Sequence, residues 1–307
     1  MLVFILKRLA IAVPTLLILI VASFVLMYAA PGGPFTSERE LPAQVLANLN
    51  AKYGLDQPLW RQILNYLWGI VAHFDFGPSF VYKDRTVNQI IAQGFPVTMT
   101  YGALSFLVAV VVGVSLGVAA AVKQNTWLDY IAVGISIGAQ VLPNFVMAPI
   151  LVLIFTLWLG WLPGGGWQGG QWQFLIMPVI ALSTSFMASI ARITRSSMLE
   201  VLNSNHIRTA KAKGLPMTRV IRRHALKPAM LPVISYLGPA FVAMITGSVI
   251  VDIYFSTGGI GKAFVDSALN RDYAVMMGVT ILMGSLTILF NLVVDVLYAW
   301  IDPKIRY

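Results

Sequence analysis

Apolar residues along this chain gather in long blocks and do not follow the short rhythms of a soluble fold. Six blocks, at about 9–30, 97–122, 130–158, 174–194, 231–255 and 274–299, reach the length a helix needs to cross a bilayer. Each predicts one membrane-spanning helix, so the fold class is all-α integral membrane. The first block follows Lys7 and Arg8 and is longer than a secretory h-region, so it reads as a retained span. Between the first two blocks, Pro31, Pro34, Pro42, Pro58 and Pro78 cut the 31–96 segment into short pieces. Within it, LWRQILNYLWGIVA places Leu59, Ile63, Leu64, Leu67, Trp68 and Val71 near one helical face. That helix is too short to span and is expected to lie on the bilayer or cap the bundle.

Composition agrees with this pattern. Of 307 residues, 58% are hydrophobic and 11% charged, and the mean hydropathy is +0.79. The net charge of +9 reports orientation before it suggests nucleic acid, because the polar loops alternate in charge. Lys7, Arg8, Lys123, Lys304 and Arg306 lie on one side together with nine basic residues from Arg192 to Lys227. The opposite loops are uncharged at 160–172 and balanced at 256–273, and the 31–96 segment carries five basic and five acidic residues. Both termini and the 195–230 loop of this multi-pass membrane protein are therefore expected in the cytoplasm. Four regions follow: a tail and first span (1–30), an extracytoplasmic segment with short helices (31–96), a five-helix core containing the 195–230 loop (97–299), and a cytoplasmic tail (300–307).

Aromatic side chains mark the borders. Trp158, Trp161, Trp167 and Trp172 gather at one end of the middle spans, and Trp127, Tyr130, Tyr298 and Trp300 mark the other. Gly113-x-x-x-Gly117 and Gly134-x-x-x-Gly138 permit close helix approach, read as packing within the chain before a seam between copies.

Catalytic constellations are missing from the sequence. There is no His-Glu-x-x-His or Gly-x-Ser-x-Gly, and no cysteine. His73, His206 and His224 fall in extramembrane segments on both sides, which disfavours a shared metal site. GGIGKAF departs from a phosphate loop at Ser256 and Ala263, so no cofactor is expected in this chain, and any ATP and Mg would be bound by other subunits. A charge at the bilayer centre costs roughly 2.5–3.5 kcal/mol, so Asp252 and Asp295 must face protein or water. Helix anchoring is favoured over cargo contact for both. With Gln140, Asn144, Thr184, Ser185 and Asn291 they are the candidates for a path or gate. A secondary transporter would show inverted repeats or more intramembrane carboxylates, and a membrane enzyme would need a convergent catalytic set.

SNHIRTAKAKGLPMTRVIRRHALKPAMLP, from Ser204, is ordered beyond its charge. Ser204 or Asn205 can cap a helix that Gly214 and Pro216 stop after two to three turns. Ile207, Ala210 and Gly214 share a small apolar face rimmed by Arg208 and Lys211, suited to a groove on another protein. A second basic helix is expected over about Thr218 to Lys227.

RTAKAKG followed by HALKPAMLP resembles the coupling loop of the membrane subunits of ATP-binding-cassette importers. There a short helix with Glu-Ala-Ala and a downstream Gly docks in a cleft of the ATPase. Here Arg208, Thr209 and Ala210 occupy the Glu-Ala-Ala positions, and the acidic residue is lost. LKRLAIAVPTLLILIVASFVLMYAAPGGPF, KYGLDQP, FDFGPSF, WLPGGGW, ARITRSSMLEVLNSNHIRTAKAKGL, ALNRDY and DVLYAWIDPKIRY extend the resemblance end to end, to the B-type permeases of peptide importers. The chain is more similar to oligopeptide than to dipeptide permeases, and it departs from relatives at VDIYFSTGGIG, where Gly258 replaces a Pro.

The resemblance implies the six-helix permease fold of type I importers. It also implies a second homologous permease, two cytoplasmic ATPases, an external peptide-binding protein and surrounding lipid as partners, with no nucleic acid. Ile207, Arg208, Thr209, Ala210, Lys211, Ala212, Lys213 and Gly214 would form the ATPase-coupling segment. The chain itself would be non-catalytic. Dipeptides, nickel or glutathione are the alternative cargoes within the same importer family.

Overall fold

The computed structural model describes residues 2–29, 35, 42–246 and 249–301, excluding the side chains of 2–5, 144 and 297–301. Among the described residues the structure is helical, apart from turns and a single β-bridge between Pro78 and Thr86. Two compact units are present: residues 1–97 with 258–289, and 98–257 with 290–307.

The first unit contains α1 (Leu2–Ala29), α2 (Ala43–Tyr53), α3 (Leu59–His73), the start of α4 (Val87–Val122), α12 (Ile260–Leu269) and most of α13 (Tyr273–Ile301). Proline sets the starts of the short helices. α2 follows Pro42 and α3 follows Pro58, both with extended ψ, and Gly54 ends α2 at φ +69°. A left-handed residue there lets the Leu55 amide reach back to the Asn50 carbonyl at 2.8 Å, closing the helix end.

The single apolar face expected on α3 is two faces. Tyr66, Leu67 and Ile70 pack against Ile20, Met277 and Ile281, whereas Trp60, Leu64, Trp68 and Val71 are exposed. Leu64 and Leu67 are both apolar, but a helix turns about 100° per residue, and neighbours in the pattern diverge to different surroundings. α4 likewise begins at Val87, ahead of the apolar stretch that starts near 97. Val87, Ile260, Val275 and Val279 are buried together, with Phe76 and Phe80 against them.

The second unit is built around α7 (Trp172–Leu202), half of whose most apolar window is buried. It packs against α5 (Trp127–Val141), α6 (Asn144–Leu151) and α10 (Leu226–Thr246). α4 reaches α7 through its glycines. A Cβ on Gly113 would lie 2.8 Å from the Met187 carbonyl oxygen, and one on Gly117 2.5 Å from that of Ala191. This pair serves internal packing, as expected. Around Gly134 and Gly138 of α5 no atom of the described residues lies within 4 Å of an added Cβ, so the second small-residue pair packs on nothing among them.

The third expected span is broken. α5 and the helical run from Phe145 to Trp158 meet at 109°. Leu142 sits at φ −79°, ψ 110°, because proline at 143 disfavours a helical residue before it. Among the described residues five other helices are long and apolar enough to cross a membrane, and the bent pair, counted as one span, makes six.

Candidate functional site

The basic segment folds as α8 (Asn205–Ala212), α9 (Met217–Arg219), a widened helical turn over Val220–Ala225, and α10. Ser204 holds the N-cap position at ψ 158°. Its hydroxyl donates to the Val201 carbonyl at 2.6 Å and lies 2.9 Å from Nδ1 of His206, so it makes no side-chain cap to the helix. The stop is as expected. Gly214 has φ +73°, and the amides of Gly214 and Leu215 return to the carbonyls of Lys211 and Ala210.

The helix expected over about 218–227 is present, from Met217, and it leads into the next span as expected. Those residues run directly into α10, because the widened turn ahead of Pro228 accommodates the helix pairing that proline disrupts.

The apolar face of α8 points inward, not toward a partner. Ile207 is fully buried and Ala210 nearly so, packed with Met198, Val220, Ala225 and Ala229. This corrects the expectation that Ile207, Ala210 and Gly214 form one insertion surface. Arg208, Thr209, Lys211, Ala212, Lys213 and Gly214 are exposed. The helix thus anchors itself by two apolar side chains and presents a cationic surface, with Met217 and Arg219 beyond it also exposed.

A buried ion pair lies near this end of the second unit. Asp129, in the first turn of α5, accepts Nε and Nη2 of Arg195 from α7 at 2.6 and 2.7 Å. It also accepts the Asn125 amide at 3.0 Å. Two hydrogen bonds in a fork fix direction as well as distance, so the pair sets how α5 leaves α7. In the sequence Arg195 stands only as one of nine topological charges, and Asp129 is not singled out. Its sole signal was an acidic residue in the first turn of an apolar helix.

The path candidates differ in exposure. Gln140 and Asn291 are exposed on their helices, and Ser185 and Asp295 are half-buried. Thr184 is buried, its hydroxyl returned to the Ile180 carbonyl. The Asn144 side chain lies outside the described residues. Asp252 is fully buried and accepts the Thr257 hydroxyl at 2.5 Å, and Tyr101 lies 3.2 Å from that same hydroxyl. This is the anchoring role favoured for Asp252, holding the turn after α11 (Val249–Tyr254).

At the end of the first unit opposite Lys7 and Arg8, Asp272 organises two distant segments. It accepts the Ser79 hydroxyl, the Phe80 amide at 3.1 Å and the Val275 amide at 3.3 Å. The last bond caps α13, and the first two hold the FGPSF turn. Beside it a cavity of about 640 Å³ opens between the end of α1, the α2–α3 connection and the start of α13. Phe24, Tyr53, Tyr66, Phe76 and Phe80 form its walls, and Asn50, Gln57, Gln62 and Asn65 its polar lining. The Tyr66 hydroxyl is buried and has no hydrogen-bond partner among the described residues. Burial, with the charge of Asp75 adding to it, pushes that phenol above its ordinary range.

These features define a polytopic helical membrane protein in which the short helix α8 presents an exposed cationic face. The chain belongs to the family of inner membrane components of binding-protein-dependent transport systems, whose model matches residues 113–307, with the family's N-terminal model on 1–102. It is 60% identical over 307 residues to the oligopeptide transport system permease protein OppB of Salmonella typhimurium, covering all of both chains. Over the same length it is 59% identical to the protein of that name from Escherichia coli K12. The dipeptide transport system permease protein DppB of Bacillus subtilis is 40% identical over 303 residues, 99% of this chain and 97% of that one. An inward-facing structure of the MetNI methionine ABC transporter shares the fold, with a TM-score of 0.61 at 17% identity over 70% of this chain and 97% of that chain. The protein is a multi-pass inner-membrane permease and one component of a multi-subunit transport system.

Proposed function

We propose that this chain is the permease subunit of an ATP-driven oligopeptide importer. The observation that carries the reading is its 60% identity, across the full length, to an oligopeptide permease. In this reading a second homologous permease completes the path. Two ATPases bind ATP and Mg, and an external binding protein delivers peptide.

The charge of the loops supports both termini, α8 and the 195–230 segment lying in the cytoplasm. There the exposed Arg208, Lys211 and Lys213 offer a cationic contact to an ATPase, while buried Ile207 and Ala210 make α8 move with α7 and α10. ATP-driven closure would act through that rigid attachment to open the path alternately to the two sides. Gln140, Ser185 and Asn291 are the proposed path contacts, and Asp252, Thr184 and Asp295 are proposed to hold helix geometry around it. Dipeptide cargo is the second reading, supported by the 40% identity to a dipeptide permease.

Reconstitution tests the proposal. Proteoliposomes holding the complete set of subunits are expected to import tetra- and pentapeptides only with ATP inside the cytoplasmic-facing compartment. Uptake by this chain alone would overturn the subunit reading, and import restricted to dipeptides would overturn the cargo.

A further inference from the structure

The cavity of the first unit is distinct from every group so far assigned to coupling or to the path. We propose that it is a binding site for a short peptide, which it holds by the free C-terminal carboxylate; this rests on the reading of the chain as a peptide permease. Its volume of about 640 Å³ falls within the range of ligand pockets.

The chemistry of the lining selects the ligand. Gln62 donates its amide to the carbonyls of Gln57 and Leu55 at 2.8 and 3.2 Å, and Asn65 donates to Oε1 of Gln57 at 3.1 Å. Those bonds fix the three amides and leave the Gln57 NH₂, the Gln62 Oε1 and the Asn65 Oδ1 to a ligand. Together with the Tyr66 hydroxyl they offer donors and acceptors in a row along α3 and the residues just before it, which the alternating N–H and C=O of an extended peptide can meet.

Charge gives the polarity. Among the described lining residues Lys52 is the only charged one, at the exposed rim with Nζ 5.5 Å from the Tyr53 ring centroid. Among the described residues that line the cavity there is no carboxylate to receive an ammonium group. A peptide therefore enters with its carboxylate toward Lys52 and its backbone along Gln57 and Asn65. The aromatic walls then accept side chains of differing shape without demanding one. A phospholipid would engage Lys52 through its phosphate but would leave the Tyr66 hydroxyl and the amides against acyl chains, which cannot hydrogen-bond.

The test uses the complete importer in nanodiscs without the binding protein, and a pentapeptide carrying p-benzoylphenylalanine. Photolabelling is expected on the stretches 50–66 and 273–277. The free-acid peptide is expected to bind about tenfold more tightly than its C-terminal amide, and Lys52→Met should remove that difference by weakening only the acid. Tyr66→Phe should weaken both forms several-fold. Labelling elsewhere, or equal affinity of acid and amide on the unaltered protein, overturns the site. So does a co-purifying phospholipid that Lys52→Met releases. ATP-dependent import by the same particles with the binding protein restored separates the two readings: import with labelling elsewhere defeats only this site, and no peptide import at all defeats the permease reading on which it rests.

Discussion

Arg195 of α7 donates from both Nε and Nη2 to the carboxylate of Asp129 on α5, at 2.6 and 2.7 Å, with the Asp129 side chain 3% exposed. Removing one partner of such a pair leaves a buried charge uncompensated. Arg195→Ala is expected to cost about 3–5 kcal/mol, and Asp129→Ala/Arg195→Ala less than the sum of the single changes. Thermal unfolding of the purified subunit in detergent measures this, and purely additive losses would show that the pair is not coupled. Arg195→Lys keeps the charge but loses the fork, so it should fall between the two.

Asp272 joins Ser79 and the Phe80 amide to the first turn of α13. Asp272→Ala leaves the Ser79 hydroxyl and two amides without their acceptor, an expected cost of about 2–4 kcal/mol. The 79–85 turn should become a site of early proteolysis, read by limited digestion and mass spectrometry. An unchanged digestion pattern would contradict the capping role.

The two glycine pairs should respond oppositely. Gly117→Val forces a side chain onto the Ala191 carbonyl and Thr194, at an expected cost of about 1–3 kcal/mol in the subunit itself. Gly134→Val meets open space and should leave the isolated subunit's melting unchanged. If a partner helix covers that face, recovery of the assembled complex on size-exclusion chromatography will fall while the subunit stays folded.

On α8 the inward and outward faces can be separated. Ile207→Asp places a carboxylate in a fully buried site and should reduce the folded subunit recovered from membranes. Arg208→Glu with Lys211→Glu alters only exposed positions, so yield should hold while peptide-stimulated ATP hydrolysis of the complex falls at least tenfold. Normal hydrolysis with the double change would mean that this cationic surface does not dock.

Several of the motifs by which the sequence resembles peptide permeases prove to be structural devices. FDFGPSF and ALNRDY meet through Ser79 and Asp272, and ARITRSSM supplies the arginine that pairs with Asp129. WLPGGGW places Gly165 so close to Phe255 that a Cβ would lie 2.3 Å from its carbonyl oxygen, while the Gly166 amide bonds that oxygen at 2.7 Å. None of these partnerships is legible in one dimension, because each joins residues separated by tens to hundreds of positions.

The sequence by itself determined that the chain is helical and crosses a membrane about six times, because hydrocarbon thickness demands long apolar blocks. It also determined where α8 stops, since Gly214 adopts at least steric cost the left-handed backbone that closes it. Tertiary structure decided which face of each helix is used. Periodicity shows that α3 and α8 have apolar sides, but only packing reveals that Ile207 turns inward and that Trp60 and Trp68 do not. It also decided the bend at Pro143, the isolation of Gly134 and the gathering of Gln57, Asn65 and Tyr66 around one cavity. A helical face is a local property of sequence, whereas its occupant is set by whatever segment the rest of the chain brings to it.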